Sequence, residues 1–237
     1  MKKLLILAAV AGLSSLSFAQ IYYQTSFEAP TFTTGVLAGQ DSWLPTGGGF
    51  EVTSVRAKTG IQSIRNTAPG EFAWRGFGAQ TGTIVAYSSM WIEAGSSADV
   101  IQGFELWNAA GTLRAAGVWV RGDGLIRGGQ GSGWNTTNNV TLGNLTNATG
   151  RWIDMALRYT TGTNTATAWV DGTEYNFNVA TARTEVGELD FYHDWISTSS
   201  STGTVYFDDV KVVPEPMTMA VLALGALAAR RRKNRKS

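Results

Sequence analysis

The chain of 237 residues contains no cysteine and one histidine, His193, which excludes disulfides, thiolate metal centres, cysteine nucleophiles and multi-histidine zinc sites. Its formal charge of +1 hides an uneven distribution: Lys2 and Lys3 open the chain, and six more of the 19 basic residues lie in the last eight positions. Between Gln20 and Val213 there remain 11 basic and 17 acidic residues, a net charge of −6. Such a region repels phosphate, so nucleic acid is not an expected partner.

The first elements form a secretory signal. Lys2 and Lys3 supply the positive start, residues 4–16 an apolar helix, and Ser17-Phe18-Ala19 the small residues at a cleavage site between Ala19 and Gln20. Beyond it, β-rich runs at 21–27, 50–55, 61–65, 83–92, 100–107 and 113–120 are separated by Gly-rich turns. Arg121-Gly122-Asp123 continues into Gly124 and reads as a hairpin turn rather than an adhesion tripeptide. Residues 128–150 read as a Gly/Asn/Thr-rich loop with Trp134 near its tip. In 152–159, Ile153, Met155, Leu157 and Tyr159 face one way, and Trp152, Asp154 and Arg158 the other. A strand at 165–170 then turns tightly at Asp171-Gly172 into 173–177, and further strands follow at 187–192 and 204–213. Helical periodicity is absent from this region. The expected architecture is one all-β domain at 20–213, a two-sheet antiparallel sandwich, between an N-terminal signal helix and a short C-terminal hydrophobic helix.

After Val213 come Pro214-Glu215-Pro216, thirteen uncharged residues at 217–229, and a basic cluster that begins Arg230-Arg231-Arg232. As a helix the uncharged stretch reaches roughly 20 Å, against a hydrocarbon core of about 30 Å. It suits a transient stop held by the cytoplasmic basic cluster better than a permanent anchor. The three features in this order closely resemble the PEP-CTERM sorting signal of Gram-negative bacteria. That resemblance implies processing by an exosortase-type membrane transpeptidase after transient anchoring in the inner membrane. It also implies a final place at the cell surface or in an extracellular matrix, in association with exopolysaccharide.

The strand series, with Arg151-Trp-Ile-Asp-Met-Ala-Leu-Arg-Tyr159 and Ala168-Trp-Val-Asp-Gly172, resembles the concanavalin/laminin-G type of jelly roll. Related sandwiches include lectins, glycan-binding modules, glycosidases and structural domains, so the fold alone does not choose between them. Within it, Glu188-Leu-Asp190-Phe-Tyr-His193 resembles the Glu-x-Asp-x-x-Glu strand of laminarinase-type glycoside hydrolases, whose outer carboxylates act as nucleophile and acid/base. Here His193 replaces the last acid. Hydrolysis is therefore the alternative expectation, and it needs a second carboxylate beside Glu188, from Glu105, Asp154 or Glu174. Phe27-Glu28 and Phe207-Asp208-Asp209-Val210 are similar to paired motifs of jelly-roll glycan-binding modules. That similarity implies a structural calcium on Glu28, Asp208 and Asp209; otherwise these acids face solvent or cap turns.

Strand parity supplies the candidate ligand face. Opposite the plainly apolar positions lie Tyr87 and Trp91, Glu105 and Trp107, Trp152, Asp154 and Arg158, and Thr167 and Trp169. Aromatic rings among hydrogen-bonding groups suit a sugar, which presents apolar C–H faces and hydroxyl edges. The candidate glycan residues are thus Trp91, Glu105, Trp107, Trp152, Asp154 and Trp169, the competing reading being that such tryptophans are core. The expected role is a non-catalytic structural or glycan-binding module.

Overall fold

Alternating side chains and β-branched residues place most of the chain in strands, numbered here in chain order. The computed structural model describes residues 20–130, 139–195 and 201–215. The expected signal with Ala19, Trp134, and the tail from Pro216 through Arg230, Arg231 and Arg232 lie outside them. Among the described residues no helix is long and apolar enough to cross a membrane.

One sheet runs, in spatial order, β14 (Thr173–Asn178), β13 (Thr165–Val170), β12 (Trp152–Thr160), β7 (Thr83–Ile92), β16 (Val205–Pro214), β5 (Ser63–Asn66), β4 (Phe50–Thr53) and β2 (Gly35–Val36). A short β1 (Tyr23–Thr25) also pairs with β16. The second, seven-stranded sheet runs β11 (Asn139–Asn144), β10 (Leu125–Gly129), β9 (Arg114–Arg121), β8 (Val100–Trp107), β15 (Val186–Trp195), β6 (Glu71–Gln80) and β3 (Leu44–Pro45). All pairings between these strands are antiparallel. The molecule is an all-β sandwich of two antiparallel sheets, consistent with a jelly roll.

The sheets meet over one apolar core, to which Ile153, Met155, Leu157 and Tyr159 of β12 all contribute, as their alternation requires. Aromatic rings tie the layers together. Phe191 of β15 stacks on Phe207 of β16 at 4.2 Å and on Trp43 at 5.3 Å. The β13–β14 hairpin turns through Asp171 (φ 48°) and Gly172 (φ 76°), the left-handed pair that a two-residue turn needs. Part of the expected 128–150 loop is strand instead. Gly128 and Gly129 end β10, and residues 139–144 pair back onto it as the edge strand β11.

Candidate functional site

The candidate glycan residues point outward from their strands, but they fall on two different sheets. Trp91, Trp152, Asp154 and Trp169 share the outer face of the larger sheet. Trp91 lies directly opposite Trp152, and the rings meet edge to face at 5.9 Å. The Arg56 guanidinium sits 4.0 Å over Trp91, so that indole face is already occupied. Asp154 accepts hydrogen bonds from the Ser89 hydroxyl at 2.7 Å and the Lys58 ammonium at 3.0 Å. Burial alone would raise its carboxyl; these two partners hold it below the usual carboxylate range.

A second row on the same face includes one exposed ring, that of Tyr87. Tyr87 is opposite Ala156, Ala156 opposite Trp169, and Trp169 opposite Glu174. Tyr87 is 40% exposed, and the small Ala156 leaves a shelf between the two rings. Arg158 lies 5.2 Å over Trp169, so part of that ring is covered too, and donates to the Thr167 hydroxyl, which donates to Asn176 Oδ1. Asn176 in turn donates to Glu174 Oε1 at 3.1 Å. Arg158 also pairs with Glu215 at 3.1 Å, so the first residues of the expected sorting motif, Pro214 and Glu215, continue β16 beside this face.

Glu105 and Trp107 are corrected by the structure: they belong to the outer face of the smaller sheet, and both are fully buried. Parity within a strand does not say which sheet the strand joins, nor whether an outward face is exposed. Here both faces of β8 and β9, at the centre of the smaller sheet, are buried. Trp119 lies flat where Gly117 and Gly129 leave room; a Cβ at either glycine would stand 2.6 or 2.3 Å from its ring. It packs with Ile101, Tyr192 and Phe72 as a second apolar cluster. Within this face Glu105 pairs with Arg114 at 2.9 Å, both side chains wholly buried, and accepts the Trp107 indole N–H at 2.6 Å.

The structure also brings three carboxyl groups together. Glu105 is opposite Asp190, and Glu188 opposite Trp107 two pairs along, on the same face. Asp190 is fully buried; burial first, then the charges of Glu188 and Glu105, push its carboxyl well above the usual range. Its neutral form is therefore favoured, and neither of its oxygens has a hydrogen-bond partner among the described residues; burial also raises the Glu188 carboxyl. Of the three, only Glu188 touches solvent, and it is 9% exposed. His193 points to the opposite side of β15 from Glu188 and Asp190. Its Nδ1 donates to Asn66 Oδ1 at 2.5 Å, and burial lowers its pKa to about 3.

The acids expected to hold calcium converge on the loop between β4 and β5. Glu28 Oε1 accepts the backbone N–H of Ile61 and of Gln62, and Asp208 Oδ2 accepts those of Lys58 and Thr59. Asp208 Oδ1 takes the Asp209 N–H, and Asp209 Oδ1 the Thr59 hydroxyl. Burial pushes the Asp208 carboxyl up to about 6 against these amide bonds. Glu28 and Asp209 also line a groove of about 720 Å³ with Ser26 and Thr59, whereas Asp208 stays buried behind it. Among the described residues no group of three or more His, Asp and Glu is arranged to hold a metal ion. Sequence reasoning missed that these acids fasten a loop, because the bonds from Asp208 span about 150 positions. The Arg121-Gly122-Asp123 turn is closed by an Arg121–Asp123 ion pair at 2.9 Å.

No protein-family model and no curated protein sequence matches the chain. Solved structures share its fold. A sialidase superposes with a TM-score of 0.57 at 10% identity over 83% of this chain, which spans only 19% of the sialidase. A cellulose induced protein gives 0.55 at 14% identity, covering 76% of this chain and 96% of that one. The alginate lyase from Chlorella virus gives 0.54 at 11% identity, covering 78% and 99%.

Proposed function

We propose that this chain is an exported glycan-binding module that does not cleave its ligand. We propose further that it is processed at a PEP-CTERM tail by an exosortase-type transpeptidase and held at the cell surface or in an exopolysaccharide matrix. The observation that carries the binding reading is the Tyr87–Ala156–Trp169 row, in which Tyr87 is exposed and Trp169 half-buried. It sets two aromatic rings on a sheet face beside Arg158, Thr167, Glu174 and Asn176. Apolar platforms with adjacent hydrogen-bonding groups are what pyranose rings require. Three structures that share the fold are named for carbohydrate chemistry or induction by cellulose, which makes polysaccharide the first ligand class to try.

The carboxyl cluster supports a non-catalytic role. A glycosidase needs two carboxyl groups facing one sugar. Here Glu105 is locked by Arg114 and Trp107, and Asp190 is sealed, which leaves Glu188 alone at the surface. The alternative, a hydrolase using Glu188 and Asp190, draws on the closeness of Glu105, Asp190 and Glu188. In affinity electrophoresis through gels containing polysaccharide, Trp169→Ala should lose most of the retardation while keeping the wild-type unfolding curve. Unchanged retardation would remove this face from the account.

We also propose a structural calcium at the groove, for which Glu28 and Asp209 would supply the carboxylates, the hard oxygen ligands this ion prefers. Bound there, it would draw the β1 end, β16 and the 56–62 loop together. At 100 times its dissociation constant such an ion adds about 2.7 kcal/mol. The melting temperature in calcium should then exceed that in chelator by roughly 5–10 °C for a domain of this size. Superimposable melting curves would dismiss calcium.

A further inference from the structure

The Tyr87–Trp169 row does not stop at the edge of its sheet. Its next member, Glu174, stands on β14, the outermost strand of the larger sheet, and lines a groove of about 440 Å³ between β14 and β11, the outermost strand of the smaller one. The walls of this groove carry the side chains that sugar hydroxyls pair with: Gln130, Asn176, Asn178 and Thr141, over a floor that includes Phe177 and Leu142. Tyr175 bridges the two edges, seated against Gly143 of β11, while Phe177 reaches Gly128 of β10; a Cβ at these glycines would stand 2.9 and 3.0 Å from the rings. That packing blocks the space a peptide strand would need to add between β14 and β11.

Spacing along the row indicates which glycan fits. Tyr87 and Trp169 are separated by β12, two strand spacings or roughly 10 Å. That is close to the repeat of an extended β-1,4-linked ribbon, in which every second sugar presents the same face. Such a ribbon lying across the strands would stack one ring on Tyr87, set the next but one against Trp169 and the Arg158 guanidinium over it, and carry its next unit over Glu174 into the groove.

We infer that the bound glycan is an extended β-1,4-linked chain lying perpendicular to the strands, with the β14–β11 groove as its terminal subsite. This rests on the glycan-binding reading above and adds to it the linkage class, the direction of the chain and a second set of contact residues. From β7 to the groove the path is three strand spacings plus the groove, or about a tetrasaccharide.

The test is isothermal titration of the full chain with cello-, manno- and chito-oligosaccharides from disaccharide to hexasaccharide, and with malto-oligosaccharides as an α-linked control. In at least one β-1,4 series the affinity should rise about tenfold or more up to the tetrasaccharide and then level off, with the α-linked series much weaker. The double variant Gln130→Ala/Asn178→Ala should lose the last step of that rise and keep the wild-type affinity for shorter chains, whereas Trp169→Ala should weaken all lengths. If the double variant shows the wild-type length dependence, the groove is not a subsite. If α-linked chains bind as well, the ribbon geometry is wrong. Either result leaves the glycan-binding reading standing. If Trp169→Ala matches wild type, or no glycan binds, that reading fails and this inference with it.

Discussion

Replacing Arg114 with methionine should cost the domain about 3–5 kcal/mol, because it leaves Glu105 charged and uncompensated in a fully buried site. For a domain of this size that corresponds to a fall in melting temperature of roughly 10 °C. Trp107 alone cannot replace the guanidinium, since one neutral indole N–H offers little against the loss of hydration of a carboxylate. The deficit should shrink in acid. Burial already raises the Glu105 carboxyl with Arg114 present, and without Arg114 it will take up a proton more readily still. The double variant Arg114→Met/Glu105→Gln should recover much of the loss. Urea unfolding of the three proteins at two pH values checks this, and a cost below about 1 kcal/mol for Arg114→Met would show that the pair is not the support of the smaller sheet's outer face.

The second large effect is a pH dependence centred on His193. Its folded pKa is depressed to about 3 by burial, below an ordinary value near 6.5. A base with a depressed folded pKa contributes stability that is fully present above the unfolded pKa. That stability is lost as pH falls from about 6.5 toward 3, at up to about 1.4 kcal/mol per pH unit. The buried acids act in the opposite direction. Glu105, Glu188, Asp190 and Asp208 all have raised carboxyls, so their contribution is greatest at low pH and declines as pH rises through their folded values. The comparison that isolates His193 is wild type against His193→Gln. The variant should be less stable at pH 7, having lost a packed ring bonded to Asn66, and the gap should narrow steadily between pH 6.5 and 4. Parallel stability curves would mean that His193 is not held neutral in the fold.

Much of the fold was legible because strand alternation reports burial directly. The β12 pattern, the Asp171-Gly172 hairpin and the limits of β7 and β8 follow from residue type alone. Strand β6 was not anticipated, and its burial explains why: of ten residues only Ala73 is buried, so no apolar period marks it. Strand β11 was hidden by its Asn and Gly content and is held by pairing with β10 rather than by propensity. The candidate ligand face was half legible. Parity put Trp107 and Trp169 on outward faces correctly, but only the pairing of β8 with β9 and β15 shows that Trp107 belongs to the other sheet. The carboxyl cluster joins Glu105 to Glu188 and Asp190 across more than 80 positions, a proximity that spacing cannot show.

On the proposed function, this sandwich holds a polysaccharide without breaking it. The most direct measurement incubates the purified protein with insoluble cellulose, chitin and mannan, and follows bound protein, reducing ends and unsaturated termini in the same tubes. Saturable removal of the protein from solution by at least one polymer is expected, with no product accumulating above the protein-free control. Protein that stays in solution with every polymer would contradict the binding claim. Steady release of reducing ends or unsaturated termini would contradict the non-catalytic one and move attention to Glu188 and Asp190.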